Sequence, residues 1–224
     1  MRSILIVAIA SSVLLFACGS GDPEEQTMGA FFSAVQNSDQ VGLERVSLAP
    51  FDGTVETWEI IERGTESEAP FPLADYEAEL ESKRQEVRTQ RTDNSNFVSD
   101  NRDTYESYTR QYAENPSAPF RGELATFHEQ LQERQGLLAQ LEADVTQLSL
   151  DVEALKHAAT LSLSTPVDEN FEGQIKVKPL QVRVSEGAES KTYTVVLHRY
   201  ELADTRQNQP LRPRWIIAEI QPNS

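Results

Sequence analysis

The stretch that decides the fold is ELATFHEQLQERQGLLAQLEADVTQLSLDVEALKH, residues 123–157. Apolar side chains recur along it at alternating steps of three and four residues. The seam positions are Leu124, Phe127, Leu131, Arg134, Leu138, Leu141, Val145, Leu148, Val152 and Leu155. This heptad spacing predicts a coiled-coil helix about 50 Å long, which needs a partner along its whole seam. Arg134 interrupts the apolar seam, and we interpret it as a register device that pairs with an acid on the partner helix.

Residues 72–113 supply the partner helix. Their apolar rhythm starts at Leu73, weakens through the polar residues 88–96 and resumes in a shifted phase at Val98. Two prolines, Pro116 and Pro119, cannot continue a helix. The sequence therefore predicts an antiparallel helical hairpin over residues 72–160. A second turn at residues 93–96 would instead give a three-helix bundle, and both arrangements fit the sequence.

The tip of this hairpin is aromatic. Antiparallel pairing places Tyr105, Tyr108 and Tyr112 beside Leu124, Phe127 and Leu131. Aromatic side chains here can simply close the end of a coiled coil. They can also form a contact surface for another protein, and Tyr105, Tyr108, Tyr112 and Phe127 are the residues that such a surface would use.

Residues 26–71 and 161–224 flank the hairpin and predict one α+β domain. Asp22-Pro23 is typical of a helix start, and the following helix has an apolar face that can cover a sheet. Alternating apolar and β-branched residues predict a small antiparallel sheet. The expected strands cover residues 54–63, 159–164, 174–185, 191–202 and 215–220, with a polar loop at 64–70 and another at 203–213.

Pro179 interrupts one of these strands. The apolar residues before it, Ile175 and Val177, occupy odd positions, and those after it, Leu180 and Val182, occupy even positions. A β-bulge shifts the phase in this way, and proline cannot donate to a neighbouring strand. We therefore expect a bulge at Pro179 and an edge or irregular position for this strand.

Residues 1–18 have the features of a targeting segment. A cationic start and a short apolar core precede Leu15-Phe16-Ala17-Cys18, which resembles the lipobox of bacterial lipoproteins. The resemblance implies that residues 1–17 are a signal peptide, that Cys18 carries a diacylglycerol and an amide-linked acyl chain such as palmitate, and that residues 18–25 are a lipidated tether. Gly19 after the cysteine favours the outer membrane over the inner. An ordinary signal peptide and an uncleaved anchor are the alternatives.

Two further stretches resemble the nuclear transport factor two-like (cystatin-like) superfamily, and its small lipoproteins of unknown function in particular. They are Phe31-Phe32-Ser33-Ala34 followed by Asn37-Ser38-Asp39, and Arg214-Trp215-Ile216-Ile217 near the end. The resemblance implies helices over a curved sheet that together form a cone. Such a cone can hold a ligand or serve as an interaction module. The residues that could line a pocket in it are Trp58, His198, Tyr200 and Trp215.

Charge and composition limit the classes of function that are open to this chain. The chain has 36 acidic and 20 basic residues, a net charge of −16, which argues against nucleic acid as a partner. Its one cysteine rules out an intrachain disulfide. We find no catalytic constellation, metal-ligand spacing or cofactor motif, so the sequence predicts no enzyme, no metal and no cofactor.

The sequence therefore favours a non-enzymatic, lipid-anchored protein of the bacterial cell envelope, facing the periplasm. Its hairpin would contact an envelope protein or form a homo-oligomer through the coiled coil. One alternative is a periplasmic adaptor of an efflux or secretion system. The order of lipobox, strand, hairpin and strands resembles membrane fusion proteins, although the half-lipoyl flanks of that family are missing. A small-ligand-binding cone is the other alternative.

Overall fold

The computed structural model describes residues 22–206 and 211–223. Within them the chain forms helices α1 (Pro23–Gln36), α2 (Gln40–Glu44), α3 (Leu73–Asp100), α4 (Arg102–Glu114) and α5 (Glu123–Leu163). The strands are β1 (Thr57–Arg63), β2 (Ser67–Pro70), β3 (Phe171–Glu186), β4 (Glu189–Asp204) and β5 (Ile216–Pro222). All strand pairs are antiparallel. The predicted α+β class, with a small antiparallel sheet and a long helical hairpin, is confirmed.

The centre of the sheet is a β-hairpin formed by β3 and β4. Each strand has 16 residues, and they pair from Phe171↔Asp204 to Glu186↔Glu189 without a register shift. At ~3.4 Å per residue this ribbon is about 50 Å long. On the other side of β3 lie β1 and β2, and on the other side of β4 lies β5. The turn between β3 and β4 uses Gly187 at a φ of 58°.

The two halves of this ribbon bury opposite faces. Cross-strand partners share a face, so the pair Ile175↔Tyr200 lies on one face and the pair Leu180↔Val195 on the other. The first face packs on the base of the helical hairpin. Its cluster contains Leu73, Leu80, Val152, Ala158, Ala159, Leu163, Val167, Phe171, Ile175, Tyr200, Leu202 and Ile216.

The second face packs on α1, as expected for an opening helix that covers the sheet. Its cluster contains Met28, Phe31, Phe32, Val55, Leu180, Val182, Val184, Val195, Leu197, Trp215 and Ile217. Ion pairs fix the start of α1 to the same face, with Glu24 at 2.6 Å from Lys178 and Glu25 at 2.5 Å from Arg63. The core therefore has two layers, displaced along the ribbon and on opposite sides of it.

This arrangement corrects the predicted bulge at Pro179, whereas the predicted irregular position is confirmed, because the pairing of β3 with β1 and β2 is interrupted there. The β3–β4 register runs through Pro179 without a bulge, and β3 is a central strand. The apolar phase flips there because the covering layer changes from the hairpin to α1. Proline is tolerated because its missing N–H faces the gap between β2 and β1, where the Pro179 carbonyl accepts a hydrogen bond from Gly64 N–H at 2.9 Å.

Four boundary predictions are also wrong. Residues 67–70 are not loop but β2, which pairs with β3 from Ser67↔Val177 to Pro70↔Gln174. Residues 159–163 are not strand but the end of α5, where buried Ala159 and Leu163 hold the helix on the sheet. The first strand begins at Thr57 and not at residue 54, and β4 continues through Asp204 into the expected loop.

The predicted single helix over residues 72–113 is broken in two. The break falls at Asn101 and not at residues 93–96, which lie inside α3, so the alternative turn there is also wrong. The Asn101 side chain donates to the Phe97 carbonyl at 2.8 Å, and such side-chain bonds compete with helical ones. Both α3 and α4 still pack against α5, so the insertion is an antiparallel hairpin with one interrupted arm.

We expect alanine at Gly173 to be far more destabilising than alanine at Gly187. Gly173 has a φ of 149°, and a Cβ there would clash with the backbone of Glu201 in the adjacent strand. Gly187 has a φ of 58° with open space around it, so alanine should cost about 1–2 kcal/mol. Urea unfolding followed by circular dichroism should show a loss for Gly173→Ala of at least twice that for Gly187→Ala. Equal losses would contradict the close approach of β3 to β4 at this position.

Candidate functional site

The helical hairpin closes its seam within one chain. All ten predicted seam positions of α5 are buried or half-buried against α3 and α4. Within residues 22–206 and 211–223 Arg134 forms no ion pair with an acid, in contrast to the prediction. Its guanidinium lies over the Phe97 ring at 4.5 Å, and its carbonyl accepts a 3.4 Å hydrogen bond from Asn94. An aromatic face thus takes the place of the expected carboxylate.

The aromatic residues of the tip form one cluster. Phe127, 3% exposed, stacks on Phe97 with 5.2 Å between ring centroids. Tyr108 lies 5.7 Å from Phe127 and 4.8 Å from Phe120. Leu131 completes the buried part. The structure therefore brings together the predicted residues Tyr108 and Phe127, with Tyr105 at the edge, 6.3 Å from Phe127.

Tyr112 is the part of this cluster that reaches solvent. It is 50% exposed and stacks on Tyr108 at 6.1 Å. Burial raises the pKa of the Tyr108 hydroxyl, which lies 3.3 Å from Nδ1 of His128. The outer surface of the tip therefore offers an aromatic ring supported from beneath by a second ring, an arrangement suited to contact with a protein partner.

Three members of the cluster were not predicted: Phe97, Phe120 and His128. Phe97 directly follows the polar residues 88–96 of the partner helix. It lies between the two segments of that helix whose apolar rhythms differ in phase. Phe120 follows the two prolines of the turn, outside any helical pattern. His128 is one residue beyond the seam position Phe127, and it stacks on Tyr108 at 5.7 Å. The sequence signal that identifies them is the high density of aromatic residues on both sides of the turn. This signal does not depend on the heptad spacing.

The four residues predicted to line a pocket lie on two faces of the sheet. Trp58 stacks on Phe32 at 5.2 Å, and Trp215 is 2% exposed in the same cluster beneath α1. Tyr200 is buried against the base of the hairpin on the opposite face, and His198 lies beside it with 6.2 Å between ring centroids. The structure therefore does not gather the four around one cavity.

Burial perturbs the two titratable members of that set. Burial raises the pKa of Tyr200 to about 12 and lowers the pKa of His198. The carboxylate of Glu219 opposes the shift at His198 in part. The cross-strand partners of His198 are Val177 and Ile216, which are apolar. The environment thus favours a neutral imidazole against the sheet.

An ionic cluster occupies the half of the sheet face that α1 leaves open. Lys176 lies 3.2 Å from Glu66, 3.1 Å from Glu68 and 3.6 Å from Glu201. Hydrogen bonds to Glu68 and Glu66 raise the pKa of Lys176. These ion pairs join β2, β3 and β4, so we interpret the cluster as structural.

The proposed lipidation site, Cys18, lies outside the described residues. Within residues 22–206 and 211–223, no helix combines the length and the apolar character that crossing a membrane requires. The same residues contain no group of three or more histidine, cysteine or acidic side chains arranged to hold a metal ion.

Comparison of the chain with family models, with curated proteins and with solved structures gives no match.

We expect His198→Gln to reduce the loss of stability on acidification. Because burial lowers the pKa of His198 in the folded state, the unfolded chain binds the proton more readily below the ordinary pKa of 6.5. The free energy of unfolding should therefore fall as the pH drops from 7.5 to 5.5. Urea titrations at both pH values should show a smaller fall in the variant than in the wild type. An identical fall would show that His198 is not protected in the folded state.

Proposed function

We propose that this chain is a non-enzymatic, lipid-anchored protein of the bacterial cell envelope whose helical hairpin presents an aromatic tip to a protein partner. The observation that carries the proposal is the tip itself. Its inner rings are packed at the end of the hairpin, while Tyr112 faces solvent.

The hairpin is built to hold that tip away from the sheet. Helix α5 has 41 residues and is about 60 Å long. Its base is fixed by Leu73 and Ala159 in the sheet core and by the ion pair of Lys156 with Glu77 at 2.6 Å. Since the seam is filled within the chain, an oligomer would have to form through other surfaces, for example those around Leu137 and Leu150, which are exposed.

The lipobox supports the anchoring part of the proposal. Acylation of Cys18 would place the lipid only four residues before Asp22, where the described fold begins. Such a tether spans ~15 Å at most, so it would hold the sheet close to the membrane. Two or more acyl chains give stable anchoring where one does not. Gly19 makes the periplasmic side of the outer membrane our proposed location.

The two alternatives have less support. A membrane fusion protein would need half-lipoyl segments beside the hairpin, but here the flanking strands β2 and β3 pair directly in one sheet. A ligand-binding cone would need open space beneath α1, and that space is filled by side chains such as Phe31, Phe32 and Leu197.

We expect Cys18→Ser to abolish lipidation. Labelling of cells with radioactive palmitate should mark the wild-type chain and not the variant, which should move from the membrane to the soluble fraction. A matched control is the double variant Cys18→Ser, Ser20→Cys, which keeps one cysteine but moves it two residues beyond the lipobox. Labelling of this control at the wild-type level would contradict lipobox-directed acylation.

We expect the tip and not the base of the hairpin to contact the partner. A photo-crosslinking phenylalanine analogue at Tyr112 should yield a discrete adduct in intact cells, because this ring faces solvent at the tip. The same analogue at Tyr76, which is 37% exposed near the base, is the matched control. Adducts of the same mass and yield from both positions, or no adduct from Tyr112, would contradict the proposal.

A further inference from the structure

A recess of about 460 Å³ lies where the end of α5 meets α2 and the segment before β5. Two arginines, a histidine and three hydroxyl side chains line it, and among the residues that the structure describes no carboxylate does. They are Arg45, His157, Thr160, Ser164, Thr165 and Arg214. This is unexpected in a chain with 36 acidic and 20 basic residues, since most of its surface repels anions.

Arg214 is held in place by backbone carbonyls. Its Nε donates to the Leu161 carbonyl at 3.1 Å, and its Nη2 donates to the Arg45 carbonyl at 2.9 Å. These bonds come from two different elements and fix the plane of the guanidinium. Arginine has five N–H donors, so several remain available. A fixed guanidinium loses little conformational freedom when it binds an anion.

The charges in the recess are not neutralised by the protein. Within the described part of the chain, neither Arg45 nor Arg214 lies within ion-pair distance of an acidic side chain, and the same is true of His157. By contrast, Lys176 on the sheet has three acidic neighbours. The recess therefore combines two free guanidinium charges on neighbouring elements.

Hydroxyl groups complete the donor set. Thr160 Oγ1 accepts a hydrogen bond from Val167 N–H at 3.2 Å, which leaves its own O–H to donate. Ser164 and Thr165 follow at the end of the helix. The carbonyls of a helix C-terminus disfavour anions. Here Arg214 binds the carbonyl of Leu161, so the recess presents the arginine's charge in place of that carbonyl.

We propose that this recess binds the phosphate group of a small organic phosphate. Arg45 and Arg214 would contact the phosphate oxygens, since a planar guanidinium matches them in geometry and charge. Leu161 and Pro166 also line the recess and would contact the organic part of the ligand. The phosphate group could belong to a soluble ester or to a phospholipid head group, and the proposal is independent of the partner proposed for the tip.

The test is isothermal titration calorimetry at constant ionic strength. The chain is purified as the Cys18→Ser variant, which lacks the acyl anchor. Glycerol 3-phosphate is the soluble probe, and vesicles containing phosphatidylglycerol are the lipid probe. We expect saturable binding of at least one probe. Arg45→Gln should weaken that binding by about five-fold or more, the effect of losing one charge-assisted hydrogen bond.

Arg102→Gln is the matched control. It removes the same charge, but Arg102 lies on α4, where it pairs with Glu106 at 3.0 Å. It should leave the affinity of either probe unchanged. Both variants should keep the melting temperature of the parent, because the Arg45 side chain is exposed and its carbonyl contact with Arg214 survives the substitution. Equal weakening by the two variants, or no saturable binding of either probe, would overturn the proposal.

Discussion

The continuous pairing of β3 with β4 is the constraint on which the rest of this structure depends. Each strand exposes alternate side chains to opposite faces, and here both faces are needed, one for each half of the ribbon. A slip of one residue would turn Ile175 and Leu180 together towards solvent. Burial of each such side chain contributes ~1.5–3 kcal/mol, so a slip would remove both core clusters at once. The register is therefore specified twice, by two independent helical layers.

The same pairing explains why the long hairpin does not disrupt the domain. The chain leaves the sheet after Pro70 and returns at Phe171, and the N–H of Phe71 donates to the Gly173 carbonyl at 3.0 Å. The two ends of the insertion thus lie side by side on the adjacent strands β2 and β3. Ser162, fully buried, accepts a hydrogen bond from Tyr200 N–H and donates to the Arg214 carbonyl. The last turn of α5 is in this way tied to β4 and to the segment before β5, and the insertion becomes part of the core.

Much of this could be predicted from the sequence, but not the layer change. The heptads of residues 123–157 and the two prolines define the hairpin because helix period and helix breakers are local properties. The apolar residues of β3 change phase at Pro179. Either a bulge or a change of the covered face can cause such a shift, and the local sequence does not distinguish the two. The end of α5 resembles a strand in sequence because Leu161 and Leu163 alternate with polar residues, and only packing against the distant strand β4 selects the helix. The sequence predicts most of the aromatic tip, whereas the recess depends on Arg45 and Arg214, which are 169 residues apart and which no motif connects.

The tip and the recess lie at opposite ends of one uninterrupted helix. His128 at the tip and Thr160 at the recess are separated along α5 by about 50 Å of helix rise. The opposing arm is interrupted at Asn101, where α3 ends and α4 begins. Because α5 spans from the sheet to the tip without a break, it fixes the distance between the tip and the recess, and the interruption at Asn101 affects only the opposing arm. The tip is therefore held at a fixed distance from the recess by α5 alone, whether or not the opposing arm is continuous.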